Sequence, residues 1–239
     1  MKWLKRIGVA AVVVLFTGTL FWFLFPRPIS EVLFRVAINS LSLPDAGERS
    51  GLHVYLCGTG SPLPDPTRSG PCLGILASGQ AFVIDPGEGA ARRLSNMGFP
   101  TGSIDAVILT HLHSDHLDGL GGILLQAWVG GGRDEPLPVY GPAGINRVVT
   151  GVNEMFAIDS TFRTAHHGKA IANPAGYGAT AKVVELEISD PLKVYAEIID
   201  NDKVKIIATP VSHAPVHPAM GLRIDHAGRS VSFSGDTVY

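Results

Sequence analysis

The stretch THLHSDH, residues 110–116, contains three histidines and one aspartate within six consecutive positions. It directly follows the apolar run IDAVIL of residues 104–109, a pattern typical of a buried strand that delivers polar side chains at its C-terminal end. Packing does not explain the cluster, because burying so many imidazole and carboxylate groups without partners is costly. Since these groups are good ligands for zinc and similar divalent metals, the stretch predicts a metal site. A metal held there would turn a bound water into hydroxide near neutral pH.

Other apolar patterns predict a strand-rich α/β chain. We expect strands near residues 52–57, 72–77, 80–85, 104–109, 138–140, 182–188, 193–199, 203–210, 220–225 and 229–234. Helices are expected near residues 88–97, from Gly119 onward and over 142–156, with Asp118 capping the second one. Residues 157–180 are predicted to be irregular, with His166 and His167 in a surface loop. Sheets packed together with helices outside fit this order of elements.

Further segments join the histidine stretch in a fixed order along the chain. They are LCGTGSP at residues 56–62, FVIDPGEG at 82–89, VSH at 211–213 and SFSGDT at 232–237. With the H-x-H-x-D-H pattern, they resemble the metallo-β-lactamase superfamily over residues 52–239. The pieces GTGS, DPGEG, YGP and SGDT are similar to its ribonuclease Z and arylsulfatase branch. The resemblance implies an α/β fold, the αββα sandwich of two packed mixed sheets with helices outside.

The resemblance also implies a set of metal ligands. One zinc ion would be shared by His111, His113 and His213, a second held by Asp115 and His116, and both bridged by Asp236. Two zinc ions per chain are then expected, although other divalent metals suit the same ligands. Asp115 would additionally act as the catalytic proton acceptor. His217, four residues after His213, is the alternative for the later histidine, and Asp236 has the alternative of an ordinary turn residue.

The family pattern calls for one more histidine after the SGDT segment. The chain ends three residues after Asp236, without that ligand. We therefore expect the hydrolase domain, residues 51–239, to be incomplete at its C-terminus.

The N-terminus differs in composition from the rest of the chain. Residues 1–6 are basic, and residues 7–25 are nineteen positions without a charged side chain. As a helix this run is about 28 Å long, close to the hydrocarbon thickness of a bilayer. A cleaved signal peptide would have a shorter apolar core and a small-residue site, whereas this run ends in FWFLF. We therefore predict an uncleaved membrane anchor over residues 1–28 and a linker with a short amphipathic helix over 29–50.

The balance of basic residues around the run predicts its orientation. Three basic residues precede it, and the positive-inside rule then leaves the N-terminus in the cytoplasm. The hydrolase domain would lie outside the cytoplasm, in the periplasm if the cell is bacterial.

Charge and cysteine content bear on partners. Of 19 basic and 21 acidic residues, four basic and no acidic ones lie in residues 1–28, so the remainder carries a net charge of −6. This disfavours nucleic acid, which is normally bound by a basic surface, although a local basic patch is compatible with it. Cys57 and Cys72 lack metal-type spacing, and either two buried thiols or a disulfide fits them.

These features lead to a ranked set of functions. The leading hypothesis is a membrane-anchored dinuclear zinc hydrolase of phosphodiester or related ester bonds, similar to ribonuclease Z, whose branch processes tRNA 3′ ends. Arylsulfatase, lactonase or β-lactamase-type hydrolysis of a small ester or amide is the alternative. The alternative without enzymatic activity is an inactive metal-binding domain at the membrane. Relatives of this kind are often dimers, so a homodimer is also expected.

Overall fold

The computed structural model describes residues 17–20, 33, 51–186 and 195–238. The chain divides into two compact units, Met1–Leu41 and Ser42–Tyr239. In the first unit, the described residues 17–20 and Leu33 are helical and exposed.

The structure contradicts the prediction of a transmembrane helix over residues 7–25. A helix that crosses a bilayer needs about 20 predominantly apolar residues. Across the described parts of the chain, no helix is both long enough and apolar enough for such a crossing. The prediction of a membrane-spanning anchor, and of the membrane-bound location that rests on it, is therefore wrong. The predicted position of the domain outside the cytoplasm was derived from that anchor and loses its basis with it. The rest of the predicted span, and the linker helix apart from Leu33, lie outside the described residues.

Six strands form the first sheet, called sheet A. In spatial order they are β1 (Leu52–Gly58), β2 (Cys72–Ala77), β3 (Gln80–Ile84), β4 (Ile104–Ile108), β5 (Leu137–Gly141) and β6 (Ala179–Val183). The first three are antiparallel, and the last three continue parallel to β3. Ser78 and Gly79 both have positive φ, which matches the twist of a two-residue hairpin between β2 and β3.

Four antiparallel strands form sheet B. They are β7 (Ala196–Asp200), β8 (Lys205–Pro210), β9 (Met220–His226) and β10 (Arg229–Phe233), in the spatial order β10-β9-β8-β7. Ala227 and Gly228 have positive φ and make the corresponding two-residue turn between β9 and β10. Two sheets therefore form as the sequence predicts.

The described helices of the second unit connect the parallel strands of sheet A. They are α1 (Ala90–Asn96), α2 (Leu120–Leu125), α3 (Ile145–Met155) and α4 (Ala157–His167). A π-helical turn, Gln126–Gly130, extends α2. The N-cap of α2 is Gly119, and no side chain caps it, so the prediction that Asp118 caps this helix is wrong.

Helix α4 is a second departure from the predicted elements, because residues 157–180 were expected to be irregular. None of its side chains is buried, and Ile158 and Phe162 are exposed. The helix is held by contacts other than an apolar face. Arg163 pairs with Asp159 over 2.6 Å, and the Thr164 hydroxyl donates to the carbonyl of Ala172.

Two apolar layers hold the domain together. Sheets A and B bury one layer between them, which includes Phe82, Ile108, Ile206 and Met220. The opposite face of sheet A packs against the helices through residues such as Leu94, Val107, Ile123 and Ile145. Strand β4 is buried on both faces, as expected for a central parallel strand, and this fixes the position of the segment that follows it.

Cys57 and Cys72 form a disulfide across β1 and β2, where the register of the two strands shifts. Both residues are buried, and the bond closes the loop that connects the two strands. Of the two alternatives that the sequence leaves open, the structure contains the disulfide.

Reduction of this bond is expected to lower the free energy of unfolding by about 2–3 kcal/mol, because the unfolded chain regains the entropy of a loop of roughly 15 residues. Urea unfolding of the full chain with and without a thiol reductant measures the difference. The chain has two cysteines, so the double variant Cys57→Ala/Cys72→Ala serves as the control and should not respond to reductant. Equal unfolding midpoints for oxidised and reduced protein would contradict the prediction.

Candidate metal centre

Strand ends from both sheets meet at the histidine stretch. Parallel strands β3 and β4 are neighbours, so Asp85, after β3, lies beside the stretch that follows β4. In sheet B, β8 and β10 run in the same direction on either side of β9, and His213 and Asp236 follow them. The backbone N–H of Met220, at the start of β9, donates to the carbonyl of Thr110 over 3.0 Å. This bond joins the two sheets at the site.

Three of the predicted ligands point ring nitrogens at one common space. Nε2 of His111 lies 3.0 Å from Nδ1 of His113, which in turn lies 3.4 Å from Nε2 of His213. In a tetrahedral zinc site, bonds of about 2.0–2.1 Å place neighbouring ligand atoms about 3.3 Å apart. Asp236 joins this group, whose ligand atoms all lie within 4.8 Å of one another. The spacing fits a single coordination sphere.

A second group of ligand atoms surrounds His116. Its Nε2 atom lies 3.5 Å from Oδ1 of Asp236 and 3.7 Å from Oδ2 of Asp115. Within the described part of the chain, this buried nitrogen has no hydrogen-bond partner, which is costly unless a ligand engages it. Oδ2 of Asp236 lies 3.9 Å from Nε2 of His213, so this carboxylate faces both groups. The six predicted ligands therefore lie together, and their nitrogen and oxygen atoms suit zinc or a similar divalent ion.

Asp85 lies close enough to His111 and His116 for its carboxylate to bind a metal ion together with them. Its oxygens, however, already accept hydrogen bonds from the Thr110 N–H, the Thr110 hydroxyl and Nδ1 of His116, at 2.7, 2.6 and 3.0 Å. The carboxylate is fully buried behind the rings. We therefore interpret Asp85 as a support for the ligands rather than as a ligand.

Burial and neighbouring charges shift the pKa values of the two buried histidines, His111 and His116, in opposite directions. Burial lowers the pKa of His111 to about 4, and the charge of His116 acts in the same direction. Burial also acts to lower the pKa of His116, but the hydrogen bond and charge of Asp85, with the charges of Asp236 and Asp115, outweigh it and the net shift is upward. His111 is thus neutral at physiological pH, the form that a metal ion requires.

Three glycines let the backbone around the histidine stretch pack closely. A Cβ atom on Gly87 would lie 2.3 Å from the carbonyl oxygen of Asp115 and 2.8 Å from that of Pro71. A Cβ atom on Gly119 would lie 2.0 Å from the carbonyl oxygen of Gly87, and one on Gly70 would lie 3.2 Å from that of Asp115. The sequence analysis missed the packing role of these glycines; of the three, only Gly87 lies in a motif quoted there, DPGEG.

Other histidines lie outside the ligand groups found among the described residues. His217 is exposed and belongs to neither group, whereas His213 belongs to the first. His166 and His167 are the last two residues of α4 rather than part of an irregular loop. Burial, together with the charges of His166 and Arg163, lowers the pKa of His167.

The family of the chain follows from comparison with known proteins. A model described as the beta-lactamase superfamily domain matches residues 80–239, about two thirds of the chain. The chain belongs to this superfamily. The resemblance drawn from the histidine stretch is therefore confirmed.

Members of the superfamily with similar sequences carry the name ribonuclease Z. The enzyme of Mycolicibacterium gilvum is 39% identical over 190 residues, covering 78% of this chain and 62% of that protein. The enzyme of Mycobacterium avium is 38% identical over 189 residues, covering 78% of this chain and 63% of that protein. The chain thus spans less than two thirds of the length of these curated relatives.

Two solved structures share the fold at lower sequence identity. The short form of human tRNase Z aligns with a TM-score of 0.61 and 21% identity, covering 77% of this chain and 68% of that one. A diphosphatase of the PhnP family aligns with a TM-score of 0.53 and 19% identity, covering 73% of this chain and 62% of that one. These alignments show that the chain shares its two-sheet fold with both proteins.

The substitution Gly87→Ala tests the close packing beneath the metal centre. A methyl group there would meet two backbone oxygens that cannot move aside independently, so we expect a loss of about 1–3 kcal/mol in the free energy of unfolding. Gly151→Ala is the matched control, because Gly151 is an exposed residue of α3 with nothing within 4 Å of its added Cβ. The control should be stabilised by about 0.5–1 kcal/mol, since alanine favours helix more than glycine does. Chemical unfolding of both variants measures these changes, and equal stabilities would refute the packing argument.

Proposed function

We propose that the chain forms the metal-binding part of a dinuclear metal hydrolase that cleaves phosphodiester bonds in RNA, as the name ribonuclease Z describes for its relatives. The observation that carries the proposal is the pair of ligand groups that share the carboxylate of Asp236. Two cations bridged by one carboxylate suit in-line attack on phosphorus, which needs both the attacking and the leaving oxygen stabilised.

The ligands divide between two ions in this proposal. His111, His113 and His213 would hold the first ion, Asp115 and His116 the second, and Asp236 both. When bound, such ions lower the pKa of a water molecule and neutralise charge that develops on the phosphoryl oxygens. Zinc is the ion that we propose, because imidazole and carboxylate in tetrahedral spacing are typical of it.

Asp115 has a second role in the proposal. Its side chain is 12% exposed, less buried than that of His116, and its carboxylate lies at the edge of the second group. A carboxylate in this position can accept the proton of the attacking water while remaining close to the ligands. We therefore assign it as ligand and proton acceptor together.

RNA is favoured as substrate by the name of the relatives, and the acidic composition of the chain acts against it. The net charge of −6 outside residues 1–28 is a total, and it is compatible with a local basic patch that contacts RNA. The membrane and small-ester partners expected from sequence receive no support from the relatives. The homodimer stays a prediction.

Metal content and turnover of the purified full chain test the function together. We expect two zinc ions per chain and hydrolysis of both bis(p-nitrophenyl) phosphate and an RNA with a 3′ extension. Turnover of a β-lactam or a lactone, without turnover of either phosphodiester, would overturn the proposed bond specificity. A chain that binds no metal from zinc-containing buffer and shows no turnover would overturn the proposal as a whole.

The pair His213→Ala and His217→Ala separates a ligand from its neighbour. Loss of His213 should remove about one metal ion per chain and lower turnover by about 100-fold or more, since even residues behind the ligands cost 10–100-fold. His217→Ala should match the unaltered protein in both measurements. Metal analysis and initial rates on the two variants give the answer, and equal effects of the two substitutions would contradict the assignment.

A further inference from the structure

The carboxylate of Asp85 contacts both halves of the candidate metal centre. Its Oδ1 atom accepts the backbone N–H of Thr110 at 2.7 Å. Its Oδ2 atom accepts the Thr110 hydroxyl at 2.6 Å and Nδ1 of His116 at 3.0 Å. Three donors compensate the burial of this charge. Asp85 also has a φ of 47°, in the left-handed region that side chains rarely adopt, so its backbone is held in a specific orientation.

The direction of each hydrogen bond follows from what the groups can donate. An ionised carboxylate only accepts, so Nδ1 of His116 must carry the proton that it shares with Asp85. The single proton of the Thr110 hydroxyl is likewise given to Asp85. Its oxygen can then only accept from Nδ1 of His111, which lies 3.1 Å away. Both rings are therefore protonated on Nδ1.

In the neutral form of each ring, protonation on Nδ1 leaves a lone pair on Nε2. Nε2 of His111 faces His113, in the first ligand group. Nε2 of His116 faces Asp115 and Asp236, in the second. One carboxylate thus acts on both groups, directly in one case and through a hydroxyl in the other.

We propose that Asp85 is a positioning residue that fixes the tautomers of His116 and, through Thr110, of His111, so that each ring offers Nε2 to a metal ion. The purpose of this arrangement rests on the proposed metal-dependent function, but the tautomers themselves are a property of the metal-free protein. The two can therefore fail separately.

The substitution Asp85→Asn has a defined consequence. The amide oxygen should keep the place of Oδ1, because the Thr110 N–H requires an acceptor there. The amide nitrogen then takes the place of Oδ2 and donates where the carboxylate accepted. The Thr110 hydroxyl must turn its proton toward His111, and both rings should change to the Nε2–H tautomer. Their lone pairs would then point away from the metal positions.

Substitutions of Thr110 separate the two routes. Thr110→Val removes the hydroxyl with little change in shape, so His111 should lose its preference for Nδ1–H while His116 keeps it. Thr110→Ser retains a hydroxyl and should restore the tautomer of His111. A merely structural role for the two residues would change stability without this pattern.

Long-range ¹H–¹⁵N correlation spectra of the metal-free full chain, with ¹⁵N-labelled histidine at alkaline pH, report the tautomer of each ring. Nδ1–H at both His111 and His116 is the expected result, with the changes described above in the variants. Nε2–H at either ring of the unaltered protein would overturn the inference, whether or not the variants fold. An Asp85→Asn protein that folds and keeps both Nδ1–H tautomers would also overturn it.

Zinc affinity, measured by competition with a chromophoric chelator, links the tautomers to the metal. Asp85→Asn should weaken both binding steps by about 10–100-fold, and Thr110→Val only one of them. Unchanged affinity at both steps in Asp85→Asn would overturn the positioning role. If the unaltered protein shows the expected tautomers but binds no zinc, the proposed function fails while the tautomer assignment stands.

Discussion

The alignment of two sheets at one edge is the constraint on which the candidate metal centre depends. His111 and His213 are 102 residues apart in the chain, yet their rings lie 4.9 Å apart. The apolar layer between sheets A and B sets the distance between the sheets. The hydrogen bond between Met220 and Thr110 fixes the position of one sheet along the other. A ligand set drawn from both sheets is therefore a product of the whole fold, not of a single motif.

Close backbone packing is a second requirement of the site. Gly70, Gly87 and Gly119 bring three loops into contact beneath the histidine stretch, with no space left for a side chain. The Gly87 N–H donates to the carbonyl of Pro71, which directly precedes a cysteine of the disulfide. The disulfide and the metal loop are thus separated by a short series of fixed backbone contacts, so rigidity at β1 and β2 reaches the site.

Local patterns were enough to predict some of this structure. The three histidines after β4 lie within six residues of one another, and the two-sheet fold follows from the family that they indicate. His213 and Asp236 lie far from that stretch, so only the resemblance related them to it. Helix α4 was missed because Ile158 and Phe162 are exposed, and the prediction relied on apolar side chains that face inward.

Two other errors have equally specific causes. Hydropathy alone predicts a membrane span over residues 7–25, but hydropathy measures apolar character and does not show that a helix of the required length forms. Asp118 was taken as a helix cap on residue type alone, whereas the N–H of Gly119 already donates to the carbonyl of Pro86. Burial and the charges of Asp115 and Glu88 raise the pKa of the Asp118 carboxyl group.

If the proposed ions bind, ligands supplied by both sheets would also tie the stability of the domain to the metal supply. Any ion that binds the folded chain and not the unfolded one stabilises the fold by mass action, in proportion to the logarithm of its free concentration. An ion held between β4 and β8 would resist sliding or separation of the sheets, the motion that unfolding requires. The amount of intact protein in a cell would then follow the availability of free metal.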